Sequence, residues 1–215
     1  MAKKEAEVIE IKAINVKVVK IKIVGDTPLI VHAWSEKAKR MMLEAQMKTT
    51  KTKARDIRDP FDDFINSMYW LTEKPESTEE AFAKAVKNGA KWGFPVGSIK
   101  MAGNSAAYRN GWVKNQMQLR GSYFLRTEYG DMAEILNSKP IMREDMVRVG
   151  MGSADLRYRA EFRDWSMEMM LEYNADGEMT LEQIINVINA GGYSVGIGEW
   201  RPEKDGDFGR YHVEA

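Results

Sequence analysis

Apolar and polar residues alternate along residues 8–24, VIEIKAINVKVVKIKIV, in the period-two pattern of a β-strand. The phase of this alternation changes twice, and each change turns the apolar side chains to the opposite face unless a bulge or a break absorbs it. We therefore expect one long bent strand or two strands in tandem, followed by a turn at Gly25 and Asp26. The pattern of residues 166–173, SMEMMLEY, predicts another strand. Shorter strands are expected at 123–125, around 135–136 and at 142–149.

Five segments combine a helical spacing of apolar residues with a signal for a helix start. They begin after Ser35, at Asp59 with Pro60, at Ser77 with Glu80, near residue 96, and at Thr180 with Gln183. The first helix, over residues 36–47, is expected to bury Met41 and Met42. The last helix is expected to end in a left-handed cap at Gly191 and Gly192.

Residues 110–121 are polar and flanked by glycines, and we interpret them as a loop. Residues 151–164 are interpreted as an arginine-bearing connector. With residues 35–92 set aside, the expected order of elements is strand, helix, strand, strand, helix, strand. This order predicts an α+β fold with a ferredoxin-like, or RRM-like, βαββαβ core. Residues 1–34 and 93–215 would form the core, and residues 35–92 would form a helical insertion that carries a basic loop.

The charge balance limits the possible partners, because 32 basic and 32 acidic residues give a formal net charge of zero. A protein that coats duplex DNA is usually strongly basic, so any contact with nucleic acid must rest on local clusters. The absence of cysteine excludes disulfides and thiolate zinc sites, and with only two histidines we expect no metal site. Since no apolar run approaches the roughly 20 residues that span a bilayer, we expect no contact with a membrane.

The glycine-rich stretch after the last helix does not match a dinucleotide-binding fingerprint. Gly196 and Gly198 form a G-x-G sequence, but the third glycine and the helix that would point at a pyrophosphate are missing. The chain also lacks a Walker A sequence, so we expect no cofactor. His32 and His212 lie in strand-like contexts and are interpreted as structural, so no catalytic residue is expected.

Cationic residues that could bind nucleic acid fall into four groups: residues 48–58, the arginines near residue 160, the glycine-rich tail and a more dispersed group. Hydroxyl and ammonium groups in residues 48–58 would engage phosphates. Arginines and aromatic rings nearer the C-terminus would contact backbone and bases. The candidate residues are Lys48, Lys51, Lys53, Arg55, Arg58, Arg157, Arg159, Trp200, Arg201 and Arg210. A more dispersed group contains Lys91, Lys100, Arg109, Lys114, Arg120 and Arg126.

These groups also have structural explanations. Residues 48–58 could form a solvated surface loop, and the arginines near residue 160 could pair with Asp155, Glu161 and Asp164. The glycine-rich tail could be a tight crossing in which glycines let a strand and a helix pack closely, with Trp200 as an anchor in the core.

The end of the chain carries the pattern GxGEWRPExxGxFGR, from Gly196 to Arg210. Together with GDTPLIVH at 25–32 and MREDMVRVG at 142–150, it resembles a family of uncharacterised proteins from bacteriophages and prophages. In architecture the chain is also similar to the RAMP superfamily, particularly the Cas7-type backbone subunits of CRISPR complexes. In those subunits a glycine-rich loop and an inserted basic thumb grip single-stranded RNA, and the subunits polymerise along it. By this resemblance the glycine-rich loop corresponds to 191–198 and the insertion to 35–92.

The leading hypothesis is a phage-encoded, non-enzymatic protein that binds single-stranded DNA or RNA in the cytoplasm of the bacterial host. The resemblance to Cas7-type subunits implies assembly into a homo-oligomer or a filament. A first alternative is a virion or scaffold protein that assembles itself without nucleic acid, which near-zero net charge suits better. A second alternative is a metal-independent ribonuclease similar to Cas6, which would need His32 or His212 as a base.

Overall fold

A computed structural model describes residues 13–34, 36–47, 58–149 and 153–214 of the chain. The protein is a mixed α+β structure in which every pair of neighbouring strands is antiparallel. The strands are β1 (Val16–Gly25), β2 (Leu29–Val31), β3 (Tyr69–Trp70), β4 (Trp92–Pro95), β5 (Tyr123–Arg126), β6 (Met132–Glu134), β7 (Pro140–Val149), β8 (Ser153–Phe162), β9 (Ser166–Asn174) and β10 (Tyr211–Val213). The helices are α1 (Glu36–Gln46), α2 (Pro60–Asn66), α3 (Glu79–Lys87), α4 (Val96–Arg109), α5 (Met117–Arg120) and α6 (Leu181–Ser194), with a short 3₁₀ turn at Pro202–Lys204.

The central sheet has the strand order β10-β1-β9-β5. β1 keeps an unbroken register with β9, from Val16 opposite Asn174 to Val24 opposite Ser166. Because β1 stays regular through one change of phase, the apolar residues Val16 and Val18 lie on the exposed face, whereas Ile21 and Ile23 are buried. Residues 8–12 of the expected first strand lie outside the described part of the chain, and residues 13–15 do not belong to the strand. The alternation predicted for β9 is confirmed, since Met167, Met169 and Leu171 are buried.

Helices α4 and α6 pack against each other, while α4 also contacts β5 and α6 contacts β10. The inner face of α4 consists largely of small residues, and its buried positions include Ile99, Ala102, Gly103 and Ala106. The predicted capping box at the start of α6 is also confirmed, with Thr180 accepting from the backbone of Gln183 and Gln183 accepting in return.

The predicted end of α6 is wrong, because Gly191 and Gly192 lie inside the helix, which continues to Ser194. They are needed for close packing. A Cβ atom on Gly191 would lie 2.5 Å from the backbone nitrogen of Gly103, and one on Gly192 would lie 1.9 Å from the carbonyl oxygen of Tyr211. The left-handed residue after the helix is Gly196, with a φ of 69°.

Two smaller sheets flank the central one, with the orders β2-β8-β7 and β3-β4-β6. The interpretation of residues 151–164 as a connector is wrong, since β8 occupies most of that segment. Its strand pattern is regular: Ala160 and Phe162 face the core, and Arg159 and Glu161 lie on the opposite face.

Three local expectations also need correction. Met41 and Met42 are exposed, and no side chain described in α1 is buried. The cap of α3 is Thr78, whose hydroxyl accepts from the backbone of Ala81, while Ser77 donates to Asp62 instead. Part of the expected loop at 110–121 forms the short helix α5.

Candidate functional site

A groove of about 600 Å³ lies between helix α4 and the glycine-rich crossing that follows α6. The α4 side of the groove contributes hydroxyl, amide and ammonium groups, and the crossing contributes backbone and one guanidinium group. The polar and charged side chains that line the groove include Ser98, Lys100, Asn104, Ser105, Arg120, Arg201 and Glu203.

The glycine-rich crossing is held in place by backbone hydrogen bonds to β2 and to the segment before β10. The amide of Glu199 donates to the carbonyl of Ile30, and the amide of Ile197 donates to that of Gly209. Gly198 has a φ of 77°, and a Cβ atom there would lie 2.4 Å from the oxygen of Ile30. Only glycine fits this position, so the crossing is a fixed wall of the groove.

Lys100 projects from α4 and donates to the carbonyl oxygen of Arg120 at 2.8 Å. Its ammonium lies over the ring of Phe124, with Nζ 4.4 Å from the ring centroid. Burial lowers the pKa of Lys100, because the charged ammonium has lost part of its hydration. No carboxylate among the described residues lies within ion-pair distance of Lys100 or Arg120. An anion in the groove would therefore meet unneutralised charge.

Glu203 is shared between two arginines at the other side of the groove. Arg109 donates to one carboxylate oxygen at 2.6 Å, and Arg201 donates to the other at 2.7 Å. These arginines lower the pKa of Glu203, mainly through the hydrogen bond from Arg201. One carboxylate thus faces four cations when Lys100 and Arg120 are included. The groove has an excess of positive charge, although the whole chain has none.

Trp200 lies beside this groove in a strained backbone conformation. Its φ is 52°, in the left-handed region that bulky residues rarely adopt, and its side chain is 39% exposed. The interpretation of Trp200 as an anchor in the core is therefore wrong. The conformation is fixed from both sides, since the amide of Phe208 donates to the Trp200 oxygen and a Cβ on Gly206 would clash with it at 1.8 Å.

Arg210 follows the crossing and packs over an exposed aromatic ring. Its guanidinium carbon lies 4.9 Å from the ring centroid of Tyr193, near the end of α6. Such stacking leaves the guanidinium's in-plane N–H groups free to donate. Of the candidates from the tail, Arg201 lines the groove, and Trp200 and Arg210 lie on the segments that border it.

Arg157 and Arg159 lie on the other side of the crossing, on the polar face of β8. Arg159 is only 3% exposed, with nitrogens 3.5 Å from the Asp145 carboxylate and 3.9 Å from that of Glu199. Burial lowers the pKa of Arg159, and the two carboxylates oppose that effect. Arg157 contacts Asp155 at 3.4 Å. Both arginines thus have acidic neighbours, as the structural explanation anticipated.

Arg58 donates to Asp63 at 2.5 Å and to Asp155 at 2.7 Å, and it packs over the ring of Tyr158. It ties the start of α2 to the β7–β8 hairpin, away from the groove residues. The other candidates of this cluster, Lys48, Lys51, Lys53 and Arg55, lie outside the described residues.

Both histidines lie beside carboxylates. His32 Nδ1 is 3.6 Å from Glu199, and His212 Nδ1 is 2.6 Å from Asp26. The His32 ring first, and the Arg159 guanidinium after it, lower the pKa of Glu199. Within the described ranges, no group of three or more histidine, aspartate or glutamate side chains could hold a metal ion.

The groove brings together residues that sequence reasoning left dispersed. Lys100 and Arg109 lie on α4, whereas Arg120 lies at the end of α5, beyond a loop, and the groove forms where both helices meet the crossing. A usable signal existed in α4, where Lys100 stands among small residues that indicate close packing on the opposite face.

No protein-family model matches the chain, and no curated protein matches it. Among solved structures, the chain is similar to a chain of the structure described as "Cryo-EM structure of the Type III-B Cmr-beta bound to cognate target RNA". The two chains are 9% identical with a TM-score of 0.49, and the match covers 94% of this chain but 60% of the other. This chain thus spans about three-fifths of that neighbour's length.

The helices within the described residues are too short or too polar to cross a membrane.

Proposed function

We propose that this chain is a non-enzymatic protein that binds single-stranded DNA or RNA through the groove between α4 and the glycine-rich crossing. In this proposal it is phage-encoded, acts in the cytoplasm of the bacterial host and assembles into homo-oligomers. Its core is ferredoxin-like, and residues 35–92 are a helical insertion whose basic loop adds phosphate contacts.

The proposed core is supported by strand order and helix placement. Numbered along the core alone, β1, β5, β9 and β10 are strands one to four, and they lie in the order four, one, three, two. Helix α4 joins the first two and α6 joins the last two, as in a βαββαβ arrangement. Both helices pack against one another, so the opposite face of the sheet stays free of them.

The observation that carries the proposal is the charge of the groove. Three of its lining residues, Lys100, Arg120 and Arg201, are cationic, and Glu203 is the acidic residue that lines it. Ser98 and Ser105 add hydroxyl donors, which together with guanidinium and ammonium groups are the usual contacts of phosphate oxygens. A phosphate backbone supplies the charge that the groove lacks.

Exposed aromatic side chains on the elements that form the groove favour a single strand over a duplex. Tyr108 is exposed near the end of α4, and Tyr193 and Trp200 are exposed on α6 and the crossing. Unpaired bases offer faces that stack on such rings, whereas the bases of a duplex are already stacked. The zero net charge of the chain also makes tight coating of duplex DNA unexpected.

The test is a binding titration of nuclease-treated protein with fluorescent single-stranded DNA and RNA oligonucleotides at two salt concentrations. Arg120→Glu reverses a groove charge, and we expect it to weaken binding at least about tenfold. Lys87→Glu makes the same change in charge on exposed α3 and should leave the affinity within about twofold. Absence of binding by the wild type at low salt, or equal loss in both variants, would reject this function.

The second candidate is a self-assembling virion or scaffold protein. It is favoured by the exposed methionines Met101, Met117 and Met146, because large exposed apolar side chains mark association surfaces. Light scattering and negative-stain imaging of nucleic-acid-free protein distinguish the two: ordered particles without bound nucleic acid support the structural role.

A further inference from the structure

Strand β7 is an edge strand along its whole length of ten residues. It pairs with β8 on one side, from Pro140 opposite Phe162 to Val149 opposite Ser153, and no described strand pairs with its other side. A long edge presents a row of unpaired backbone N–H and C=O groups that can pair with another strand. The edge of β7 is therefore a possible site of strand addition.

Apolar side chains lie along one face of this edge. Met142 and Met146 are exposed on β7, and Leu156 is exposed directly across from Met146 on β8. Met146 is 73% exposed. Natural edges are usually protected by charge or by shortness. β7 is long, and its exposed face carries methionines between charged residues, next to backbone groups that no described strand pairs.

Two residues of opposite charge flank Met146 at equal distances along the strand. Glu144 precedes it by two residues and Arg148 follows it by two, so the three side chains share one face. Glu144 accepts a hydrogen bond from Tyr158, and Arg148 has no ion-pair partner in the described part of the chain. We propose that β7 pairs antiparallel with β7 of a second copy about a two-fold axis at Met146.

The two-fold axis at Met146 places Glu144 of each copy opposite Arg148 of the other, and Met146 opposite itself. Neighbouring registers lose this match. An axis at Glu144 sets two glutamates face to face, and an axis at Arg148 does the same with two arginines. Like charges directly opposite destabilise a strand pair, so charge disfavours these two registers. An axis at Asp145 or at Val147 instead places Glu144 or Arg148 opposite Met146 and loses the pairs of opposite charge.

The product is a closed dimer in which two three-stranded sheets join into a six-stranded one. A two-fold contact uses the same surface on both copies, so it saturates at two chains. This interface specifies the assembly part of the proposed function. It needs no nucleic acid, since the groove between α4 and the crossing is formed by other elements.

The first experiment measures the dimer dissociation constant by analytical ultracentrifugation of nuclease-treated protein. Glu144→Arg and Arg148→Glu each place like charges opposite one another, and each should weaken dimerisation by about tenfold or more. The double variant E144R/R148E restores opposite charges and should recover most of the wild-type dimer. The swap Lys87→Glu, far from β7 in sequence, controls for net charge.

The second experiment uses the absence of cysteine from the chain. In Met146→Cys the new thiol faces its own copy, at the Cα separation of about 4.5–5.5 Å found across antiparallel strands, which suits a disulfide. Mild oxidation with oxidised glutathione should convert M146C to a covalent dimer much faster than Met117→Cys. Met117 is a matched control because it is 68% exposed.

The interface would be overturned by a wild-type protein that stays monomeric at about 100 µM, well above a micromolar dissociation constant, or by a single-charge variant that dimerises as tightly as the wild type. Failure of the double swap to recover the dimer, while each variant keeps the wild-type circular dichroism spectrum, would do the same. None of these outcomes depends on oligonucleotide binding, so the two proposals fail separately.

Discussion

Glu161 lies on β8 between two arginines and is almost inaccessible to water. Arg143 donates to one of its oxygens at 2.8 Å and Arg163 to the other at 2.6 Å. Burial alone would raise the pKa of Glu161, but the two guanidinium groups outweigh it and lower the pKa below its ordinary value. Folding therefore favours the ionised form of this carboxyl.

This shift predicts how the stability depends on pH. Because the pKa of Glu161 is lowered on folding, its contribution is present above the ordinary value of 4.5 and is lost as the pH falls through the lowered value. Glu161→Gln should reduce the free energy of unfolding by about 2 kcal/mol at pH 7 and reduce the loss of stability between about pH 5 and pH 3. Urea unfolding at pH 7 and pH 3.5 measures both effects.

Glu168→Gln is the matched control, because Glu168 is exposed on β9 and pairs with the exposed Lys20. Such surface pairs contribute between zero and about 1 kcal/mol, so this variant should stay close to the wild type at both pH values. Equal pH profiles for Glu161→Gln and the wild type would contradict the assignment.

Two features were predictable at the residue scale and one was not. The caps at Asp59 and Thr180 follow from local hydrogen bonds, which sequence spacing encodes directly. The exposure of Trp200 was not predictable, because its conformation depends on a backbone contact with Phe208 and on the space left by Gly206. The large apolar side chain pointed to the core, whereas the fold holds it beside the groove.

At the scale of the element, the close packing of helix α6 depends on two glycines in its interior, Gly191 and Gly192. Gly192→Ala would place a methyl group 1.9 Å from the Tyr211 carbonyl oxygen, so helix and strand β10 would have to separate. We expect a loss of about 2 kcal/mol or more in the free energy of unfolding. Gly97→Ala makes the same change in helix α4, where no atom lies within 4 Å of the new methyl group.

The two alanine substitutions should change the free energy of unfolding in opposite directions. Alanine restricts the unfolded chain and suits a helix better than glycine, so Gly97→Ala should gain about 0.5 kcal/mol. Chemical denaturation of both proteins provides the comparison. A Gly192→Ala protein as stable as the wild type would show that the approach of α6 to β10 is not as close as described.

The sequence of strand β8 contains a clear strand pattern, although its charged residues suggested a connector. Leu156, Tyr158, Ala160 and Phe162 alternate strictly with charged residues, which is a strand pattern. The density of arginines favoured a connector instead, because charge is normally a sign of exposure. In the folded protein Arg159 and Glu161 are buried among opposite charges, so charge and exposure do not coincide here.

The groove gives a quantitative expectation at the scale of the whole molecule. Each phosphate contact to a single strand contributes about −0.7 to the slope of log affinity against log salt concentration. With Lys100, Arg120, Arg201 and the nearby Arg109, we expect a slope of about −2 to −3. Titrations between about 50 and 300 mM salt measure it. Arg120→Ala should reduce the slope by about 0.7, whereas Lys87→Ala should not change it.

A slope near zero for the wild type would mean that binding, if observed, does not use the cations of the groove. A slope that is steep but unchanged by Arg120→Ala would place the phosphate contacts elsewhere, for example at the basic residues 48–58.

The molecule as a whole was predictable in class, but not in its sheets. The α+β class follows from periodicity along the chain. The two smaller sheets pair short strands such as β2 and β3 with partners far away in sequence, and no local pattern encodes such pairs. For the same reason the groove, made from α4, α5 and the crossing, could not be assembled from spacing alone.

The pairing of β1 with β10 also affects how the chain is made. Ile23 lies opposite Val213, so β1 leaves the ribosome long before its partner does. At about 5–20 residues per second, roughly ten to forty seconds separate their synthesis. Until Tyr211 arrives, the edge of β1 and the glycine surface of α6 have no cover, and other strands can compete for them. Completion of the central sheet is thus timed by translation, and nascent-chain chaperones have that interval in which to act.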